Sequence, residues 1–404
     1  MECSFRNRYI HSKYCQIYFA IITVAFATML VPGLSSYSAL LSIIMLCALF
    51  AVFYNRRNVL YGNEKRCIIY SVIYISMIIV YRIIGVSDTQ LGYIGYYVGF
   101  VIVVITSVYI PIILDRKLKI LLFKIIFVVS LLSIAVLCIT NRNALDVADI
   151  ADTPYCTMVM FYMGACFVWF LHAKKTSHKI ISILAVAISM YSIVFVFQRG
   201  INTILGLVML VLLLLFNTNR SSLTTIIVIF FSVLLFWLYF SGTYVDVLLM
   251  VGKLSGSPRI QDRMNQIISI IYYADAEKAG GTFTGRYRLI ELSIETWKSH
   301  FFFGAGDHRL SNSIIGNHSE LIDTLAKFGV IGGFDTVLLL KNLFSVLVKN
   351  NDCQNTNSIK RQIIVMFSVF IARGFLGFTF RAHIALQLLI FLPLVIELYC
   401  NDVE

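Results

Sequence analysis

Apolar runs of about 17–25 residues, the length an α-helix needs to cross a bilayer, recur from end to end of this chain. The composition agrees with that pattern. Of the 404 residues, 59% are hydrophobic and only 13% are charged, whereas about a quarter of the residues of a soluble protein are charged. The sequence therefore predicts an all-α polytopic membrane protein.

The apolar runs predict about twelve transmembrane helices. They lie near 15–34, 36–54, 67–84, 92–114, 120–140, 154–173, 180–197, 201–216, 223–241, 326–348, 362–377 and 382–400. Two of them, 201–216 and 362–377, are short, and the last two can also be interpreted as one broken helix.

Lys and Arg are distributed unevenly between the segments that connect these spans. With the N-terminus in the cytoplasm, the cytoplasmic segments carry 17 Lys and Arg and the short outer loops carry five. Positive charge marks the cytoplasmic side, so both termini are expected there. The basic N-terminus enters the first apolar run without a small-residue cleavage site, which favours a first transmembrane helix over a removed signal peptide. This asymmetry accounts for the net charge of +12, and no nucleic-acid partner is expected.

Three regions follow from this topology. Residues 1–241 form an N-terminal bundle of about nine helices, 242–325 form a long polar loop on the outer side, and 326–404 form about three further helices. A loop of such length is unusual unless it is functional. It contains a predicted helix with Thr284 as N-cap and the turn Gly304–Gly306 as its end. The apolar stripe of that helix comprises Tyr287, Ile290, Ile294, Trp297 and Phe301. This stripe is expected to lie on the membrane face or on the transmembrane bundle.

The stretch "GNHSELIDTLAKFGVIGG" leads from the loop into the next span. Asn317 and Glu320 resemble a capping box, which would put His318 at the first helical position, and Gly329 can end or kink the helix. The positive end of a helix disfavours imidazolium, and a neutral imidazole is what a general base requires. The alternative interpretation is a capping or interfacial histidine without chemistry.

Five arginines are candidates for binding an anion. Arg286 and Arg288 are predicted in the first turn of the loop helix, where a bound anion would offset their unfavourable position against the helix dipole. Arg199 follows a long apolar helix, and Arg373 and Arg381 flank the last outer turn. The guanidinium group suits phosphate because it binds two oxygens at once. The alternatives are solvated arginines and snorkelling membrane anchors.

Common cofactor and metal motifs are not evident in the sequence. The nine cysteines contain no CxxC pair, and His300, His308 and His318 have no metal-motif spacing. A Walker loop, a dinucleotide fingerprint and a nucleophile elbow are missing too. Neither a metal nor a cofactor is therefore expected.

Four motifs in order resemble the superfamily of O-antigen polymerases and ligases, bacterial membrane glycosyltransferases. They are "QRG" at 198–200, "GRYRLIELSIETW" at 285–297, "FFFGAGDH" at 301–308 and "NHSELIDTLAKFGVIGG" at 317–333. The resemblance covers the topology of the whole chain and specific residues between about 198 and 333. His318 is followed by Ser319, where ligases often have asparagine, which favours a polymerase.

The resemblance implies a GT-C-like fold in the bacterial inner membrane and an inverting, metal-independent glycosyl transfer at its periplasmic face, with residues 242–325 in the periplasm. Donor and acceptor would be glycans on undecaprenyl pyrophosphate, embedded among membrane lipids, and a chain-length regulator would be a further partner. Arg199 and Arg286 would neutralise the departing pyrophosphate, and His318 would orient or deprotonate the acceptor hydroxyl. Asn317, Arg288, Arg373 and Arg381 are further candidates for substrate binding.

Two alternatives remain open. An O-antigen ligase would use the same donor but transfer the glycan to lipid A–core. A transporter or flippase of lipid-linked sugars would place charges at the membrane midplane and show paired repeats, whereas this chain gathers its polar residues on one predicted face.

Overall fold

The computed structural model describes most of the chain and is helical wherever it has regular structure. The described residues are 13–31, 62–84, 91–143, 152–197, 200–217, 244–254, 282–306, 315–316, 318–350 and 356–400, with a few positions between 258 and 268. These ranges contain no β-strand. Both the all-helical class and the membrane character predicted from the sequence are confirmed.

The helices follow the predicted apolar runs closely. They are α1 Lys13–Leu30, α2 Asn63–Ile83, α3 Leu91–Ile113, α4 Arg116–Asn143, α5 Asp152–His172, α6 Thr176–Tyr191, α7 Gly200–Leu215, α8 Tyr244–Leu254, α9 Thr282–Ser299, α10 Glu320–Asn350, α11 Thr356–Leu376 and α12, which begins with Ala382–Leu386. Helix α6 continues as the π-helical turn Ser192–Val196, and α12 continues through Gln387–Phe391, Leu392–Val395 and Ile396–Cys400.

Six segments of the described residues are long and apolar enough to cross a membrane. They are Asn63–Ile83, Arg116–Ile139, Tyr155–His172, Thr176–Val196, Glu320–Val348 and Ala382–Tyr399. Shorter apolar helices cover Gln16–Leu30, Tyr97–Ile113 and Ile201–Leu215. The predicted spans near 36–54 and 223–241 lie outside the described residues.

The last two predicted spans are separate helices. Helix α11 ends at Leu376, the backbone leaves the helical conformation over 377–381, and α12 begins at Ala382. Helices α5 and α12 are the most buried of the membrane-spanning segments. Their interface with α4 is aromatic, with the ring of Phe123 stacked on Phe391 at 5.4 Å and edge-on to Trp169 at 5.2 Å.

Polar side chains mark the two ends of the bundle. At one end, called the opposite end below, Lys119 near the start of α4 meets Glu397 near the end of α12, and His172 at the end of α5 meets Gln362 near the start of α11. The other end, called the site end, collects the starts of α3, α5, α7, α10 and α12 and the end of α11. Helices that are consecutive in the chain, from α3 to α7 and from α10 to α12, therefore alternate in direction.

Helix α10 is broken at Gly329, whose φ of 62° and ψ of −160° leave the helical region. The break is closed by the segment that follows α9. Ala305 and Gly306 donate their N–H groups to the carbonyls of Ala326 and Lys327, and the N–H of Val330 donates to Phe301. The prediction that Gly329 kinks this helix is confirmed, and the backbone groups that the break exposes are satisfied.

Helix α9 differs from its prediction at both ends. It begins at Thr282 rather than after Thr284, and it ends at Ser299, before the glycine turn. Its packed face is centred on the buried Ser293 and Thr296, whereas Phe301 of the predicted apolar stripe is exposed. The reason is a hydrogen bond of 2.7 Å from the Ser293 hydroxyl to Asp323, which fixes the face that α9 turns toward α10.

Candidate functional site

A buried cluster of polar side chains occupies the site end of the bundle. The side chains come from α3, α5, α7, α10, α11 and the start of α12, so that distant parts of the sequence meet here. We call it the polar cluster; it comprises Tyr97, Thr157, Asn202, Glu320, Arg373, Arg381 and His383. Charged groups are rarely buried unless they are paired or functional, so this cluster is the strongest candidate for a site.

The start of α10 is capped by Ser319. The Ser319 hydroxyl accepts the N–H of Ile322 at 3.3 Å, and the carboxylate of Asp323 accepts the N–H of Ser319 at 3.0 Å. This reciprocal arrangement does the work of a capping box. The predicted box of Asn317 and Glu320 is wrong, because the helix begins at Glu320 and the Glu320 carboxylate accepts a hydrogen bond from another helix.

Glu320 and Arg381 both lie against Tyr97. The Tyr97 hydroxyl donates to the Glu320 carboxylate at 2.9 Å, and the Arg381 guanidinium lies 5.2 Å from the centroid of the Tyr97 ring. The ring of Phe378 lies 5.0 Å from the same guanidinium. Glu320 and Arg381 are each 3% exposed. Two aromatic rings therefore fix the position of a buried cation by cation–π contact.

Arg373 joins the cluster from the last turn of α11. Its Nε donates to the Thr157 hydroxyl at 3.2 Å, and the side-chain amide of Asn202 donates to the same hydroxyl at 3.3 Å. The guanidinium packs so closely over Gly377 that a Cβ there would collide with it. Arg373 is 3% exposed. The predicted candidates Arg373 and Arg381 are thus brought to the same end of the bundle, inside the protein.

His383 extends the cluster along α12. Its imidazole is buried and stacks on the ring of Tyr155, with the centroids 4.7 Å apart and the planes 7° apart. Sequence reasoning did not identify His383, because a single histidine in an apolar run gives no signal of its own. Its position two residues after Arg381 was the only hint.

His318 lies beside this cluster rather than in it. Its side chain is exposed, and it precedes the capping residue Ser319. The prediction that His318 occupies the first helical position is therefore wrong, because α10 begins two residues later. An exposed imidazole next to a helix start can still accept a proton from a ligand that rests on the cluster. Asn317 lies outside the described residues.

The loop arginines are distributed differently from the prediction. Because α9 begins at Thr282, Arg286 and Arg288 lie in its second turn, so the expected opposition to the first-turn dipole does not apply. Arg288 is exposed and lines an open groove with Glu291 and Glu295, away from the polar cluster. The Arg286 side chain and Arg199 lie outside the part of the chain that can be described; Arg199 precedes the cluster residue Asn202 by three positions.

The charges around the start of α10 are buried and mixed in sign. Arg373, Arg381 and Lys327 are cationic, whereas Glu320 and Asp323 are anionic. Asp323 is bound by Ser293 and by the N–H of Ser319, and Lys327 lies near it. Within the described ranges, no three His, Cys, Asp or Glu side chains come together as metal ligands. The chemistry that the cluster offers is guanidinium binding of an anion next to a carboxylate and an imidazole.

No protein-family model matches this chain, and no curated protein matches its sequence.

Proposed function

We propose that this protein is an inverting, metal-independent glycosyltransferase that polymerises oligosaccharide repeat units linked to undecaprenyl pyrophosphate into O-antigen or a related surface polysaccharide. The observation that carries the proposal is the burial of Arg373 and Arg381 at one end of an apolar bundle. A pyrophosphate leaving group requires fixed positive charge, and arginines held by an apolar protein supply it without rearrangement during the reaction.

The roles divide between buried and exposed groups. Arg373 and Arg381, together with Arg199 and Arg286, bind and neutralise the pyrophosphate. His318, exposed beside the capped start of α10, orients or deprotonates the hydroxyl of the acceptor. Arg288 and Asn317 remain candidates for binding the glycans. Glu320 accepts a hydrogen bond from Tyr97 and places a carboxyl group beside the two arginines.

The proposal includes a topology of about twelve spans with a GT-C-like arrangement in the bacterial inner membrane. Both termini are cytoplasmic, and residues 242–325 are periplasmic, with a chain-length regulator as a further partner. The grouping of helix ends supports this topology: Thr157, Asn202, Glu320, Arg373 and Arg381 all belong to helix ends that the distribution of Lys and Arg predicts on the outer side.

An apolar groove next to the polar cluster supports the proposal that the substrate is lipid-linked. It lies between α10 and α11, has a volume of about 500 Å³ and runs from Leu321 and Phe375 to Phe344. Leu321 directly follows Glu320, and Phe375 lies two positions beyond Arg373. A polyprenyl chain in this groove would therefore have its phosphates next to the polar cluster.

One observation favours a second candidate, a transporter or flippase of lipid-linked sugars. Helix α10 is broken at Gly329. Asp335 lies beyond the break and is 5% exposed, and its buried carboxylate has no hydrogen-bond partner among the described residues. Broken helices and buried intramembrane acids are features of ion-coupled transporters. The two candidates differ in whether a glycosidic bond forms.

The test is polymerisation by the purified protein in liposomes that contain lipid-linked repeat units, with a chelator present. Wild-type protein should produce long chains on a gel. His318→Ala should reduce turnover by roughly 10²–10⁴, the range for loss of a general base, and should still bind the donor. The matched control is His300→Ala, an exposed histidine whose ring contacts Ser299 and Thr296 instead.

Full activity of His318→Ala would end its catalytic role. Transfer only to added lipid A–core would identify a ligase, and movement of the lipid across the bilayer without new bonds would identify a transporter. Loss of activity in His300→Ala alone would point to α9 rather than to the start of α10.

A further inference from the structure

Three consecutive phenylalanines lie on the surface just after α9. Phe301 is 46% exposed, Phe302 66% and Phe303 68%. We call Phe301–Phe303 the phenylalanine turn. A contiguous exposed apolar patch on a protein surface marks a site of contact with another apolar phase. Single exposed apolar residues are ordinary, but three adjacent rings held in place are not.

The backbone of the phenylalanine turn is held by the break in α10. The carbonyls of Phe301 and Phe302 accept the N–H groups of Val330 and Ile331, and the Tyr81 hydroxyl donates to the carbonyl of Phe303. The next residues are tied to α10 in the same way, through Ala305 and Gly306. Non-helical backbone tolerates an apolar environment only when its polar groups are satisfied, and these groups are.

Glycines make this close approach possible. Gly304 has a φ of 72°, and a Cβ at this position would collide with the backbone of Lys327. Gly329, at the break, lies equally close to the carbonyl of Phe302. The turn is therefore locked to α10 with its side chains directed outward, so that the exposure of the rings is built into the backbone.

The surface around the turn is also apolar. Ile83, at the end of α2, is 77% exposed, and Phe334, one turn beyond Ile331 on α10, is 63% exposed. Both residues belong to segments that are long and apolar enough to cross a membrane. The phenylalanine turn thus continues the lipid-facing surface of the bundle. On its other side, Lys298 and Ser299 are exposed and polar.

We propose that the phenylalanine turn inserts into the lipid of the bilayer and anchors the end of α9 at the membrane boundary. Trp297 stacks on Phe301 with the ring centroids 5.5 Å apart, which holds the ring of Phe301 against the end of α9. Lys298 then lies on the aqueous side of the boundary. The anchor fixes the height of α9, and with it Ser293 and Asp323, relative to the membrane.

The test uses tryptophan fluorescence in liposomes that contain only the purified protein. In a background where Trp169, Trp237 and Trp297 are replaced by Phe, the reporter is Phe302→Trp, and the matched control is Lys298→Trp. Phospholipids with brominated acyl chains should quench Phe302→Trp several-fold more strongly than Lys298→Trp, and aqueous iodide should give the reverse order.

Quenching of Phe302→Trp by iodide but not by the brominated lipids would overturn the proposal, because the turn would then face water. Protection from both quenchers would overturn it as well, since a second protein surface would then cover the turn. Because the reporter side chain is exposed, the substitution leaves the core intact, and a melting profile equal to that of the tryptophan-free parent checks this.

Discussion

The two ends of the bundle use buried polar residues in different ways. At the opposite end the contacts join side chains of two helices: Lys119 meets Glu397 at 2.6 Å, and His172 meets Gln362 at 2.9 Å. At the site end, groups are shared. Thr157 accepts from both Arg373 and Asn202, and Tyr97 contacts both Glu320 and Arg381.

The difference indicates different tasks. A pair that only connects two helices needs one partner for each group. A partly exposed pair such as Lys119–Glu397 contributes about 0–1 kcal/mol to the free energy of unfolding. Gathering buried charges of both signs around a few acceptors costs desolvation energy that hydrogen bonds only partly offset. Such an arrangement is retained when it serves binding rather than stability.

The largest expected difference between the ends is in thiol labelling from outside the cell. The experiment uses a protein from which the native cysteines have been removed. Lys298→Cys places an exposed thiol beside the site end, and Lys175→Cys places one at the opposite end. An impermeant maleimide should label Lys298→Cys in intact cells and Lys175→Cys only after lysis. Labelling in the reverse order would invert the topology, and equal labelling of both would remove the sidedness on which the proposal depends.

A smaller but still large effect is expected from two glycine substitutions. Gly62 and Gly329 both have positive φ, at 61° and 62°, so alanine at either position costs about 1–3 kcal/mol in backbone strain. A Cβ at Gly329 would also collide with Phe302, whereas one at Gly62 would meet no described atom within 4 Å. Gly329→Ala should therefore lower the apparent melting temperature in detergent far more than Gly62→Ala.

Equal melting temperatures for the two glycine variants would contradict this prediction. They would mean that the backbone at position 329 can shift away from Phe302 without loss of stability. Recovery of Gly329→Ala by a second substitution at Phe302 is not expected, because the collision is with the backbone carbonyl.

The smallest expected effect is on turnover, when a basic residue at each end of the bundle is replaced by the other basic residue type. Arg381→Lys keeps the charge but loses the planar group between Tyr97 and Phe378, so turnover should fall by about 10–100-fold, less than for loss of a complete charge-stabilising donor. Lys119→Arg at the opposite end should change turnover less than about twofold. Steady-state polymerisation rates measure both. Similar losses in the two variants would show that Arg381 acts through stability alone.

The sequence was informative about the membrane helices and less so about the site. The apolar runs predicted nearly every described helix, because a lipid environment leaves few other structures. Gly329 as a kink and the pair Arg373 and Arg381 were also identified, since glycine and arginine stand out in apolar runs. The helix start was predicted two residues too early, because the Ser319 hydroxyl and the Asp323 carboxylate form the cap.

Most of the polar cluster could not be predicted from one sequence. Tyr97, Thr157 and Asn202 are ordinary residues in separate helices, and only the fold brings them to Glu320 and Arg373. The packing of α9 on α10 could not be predicted for a similar reason, since it includes a hydrogen bond from the Ser293 hydroxyl to Asp323. Asp335, by contrast, is recognisable in the sequence as an acidic residue within an apolar span.

The attachment of α9 to α10 at two points fixes the number of residues between those points. Ser293 is hydrogen-bonded to Asp323, and Ala305 is hydrogen-bonded to Ala326. The segment from Ser293 to Ala305 must therefore keep its length. One inserted residue would rotate the remainder of α9 by about 100° and carry the phenylalanines away from the break in α10. Among related chains, insertions and deletions should therefore fall outside residues 293–305.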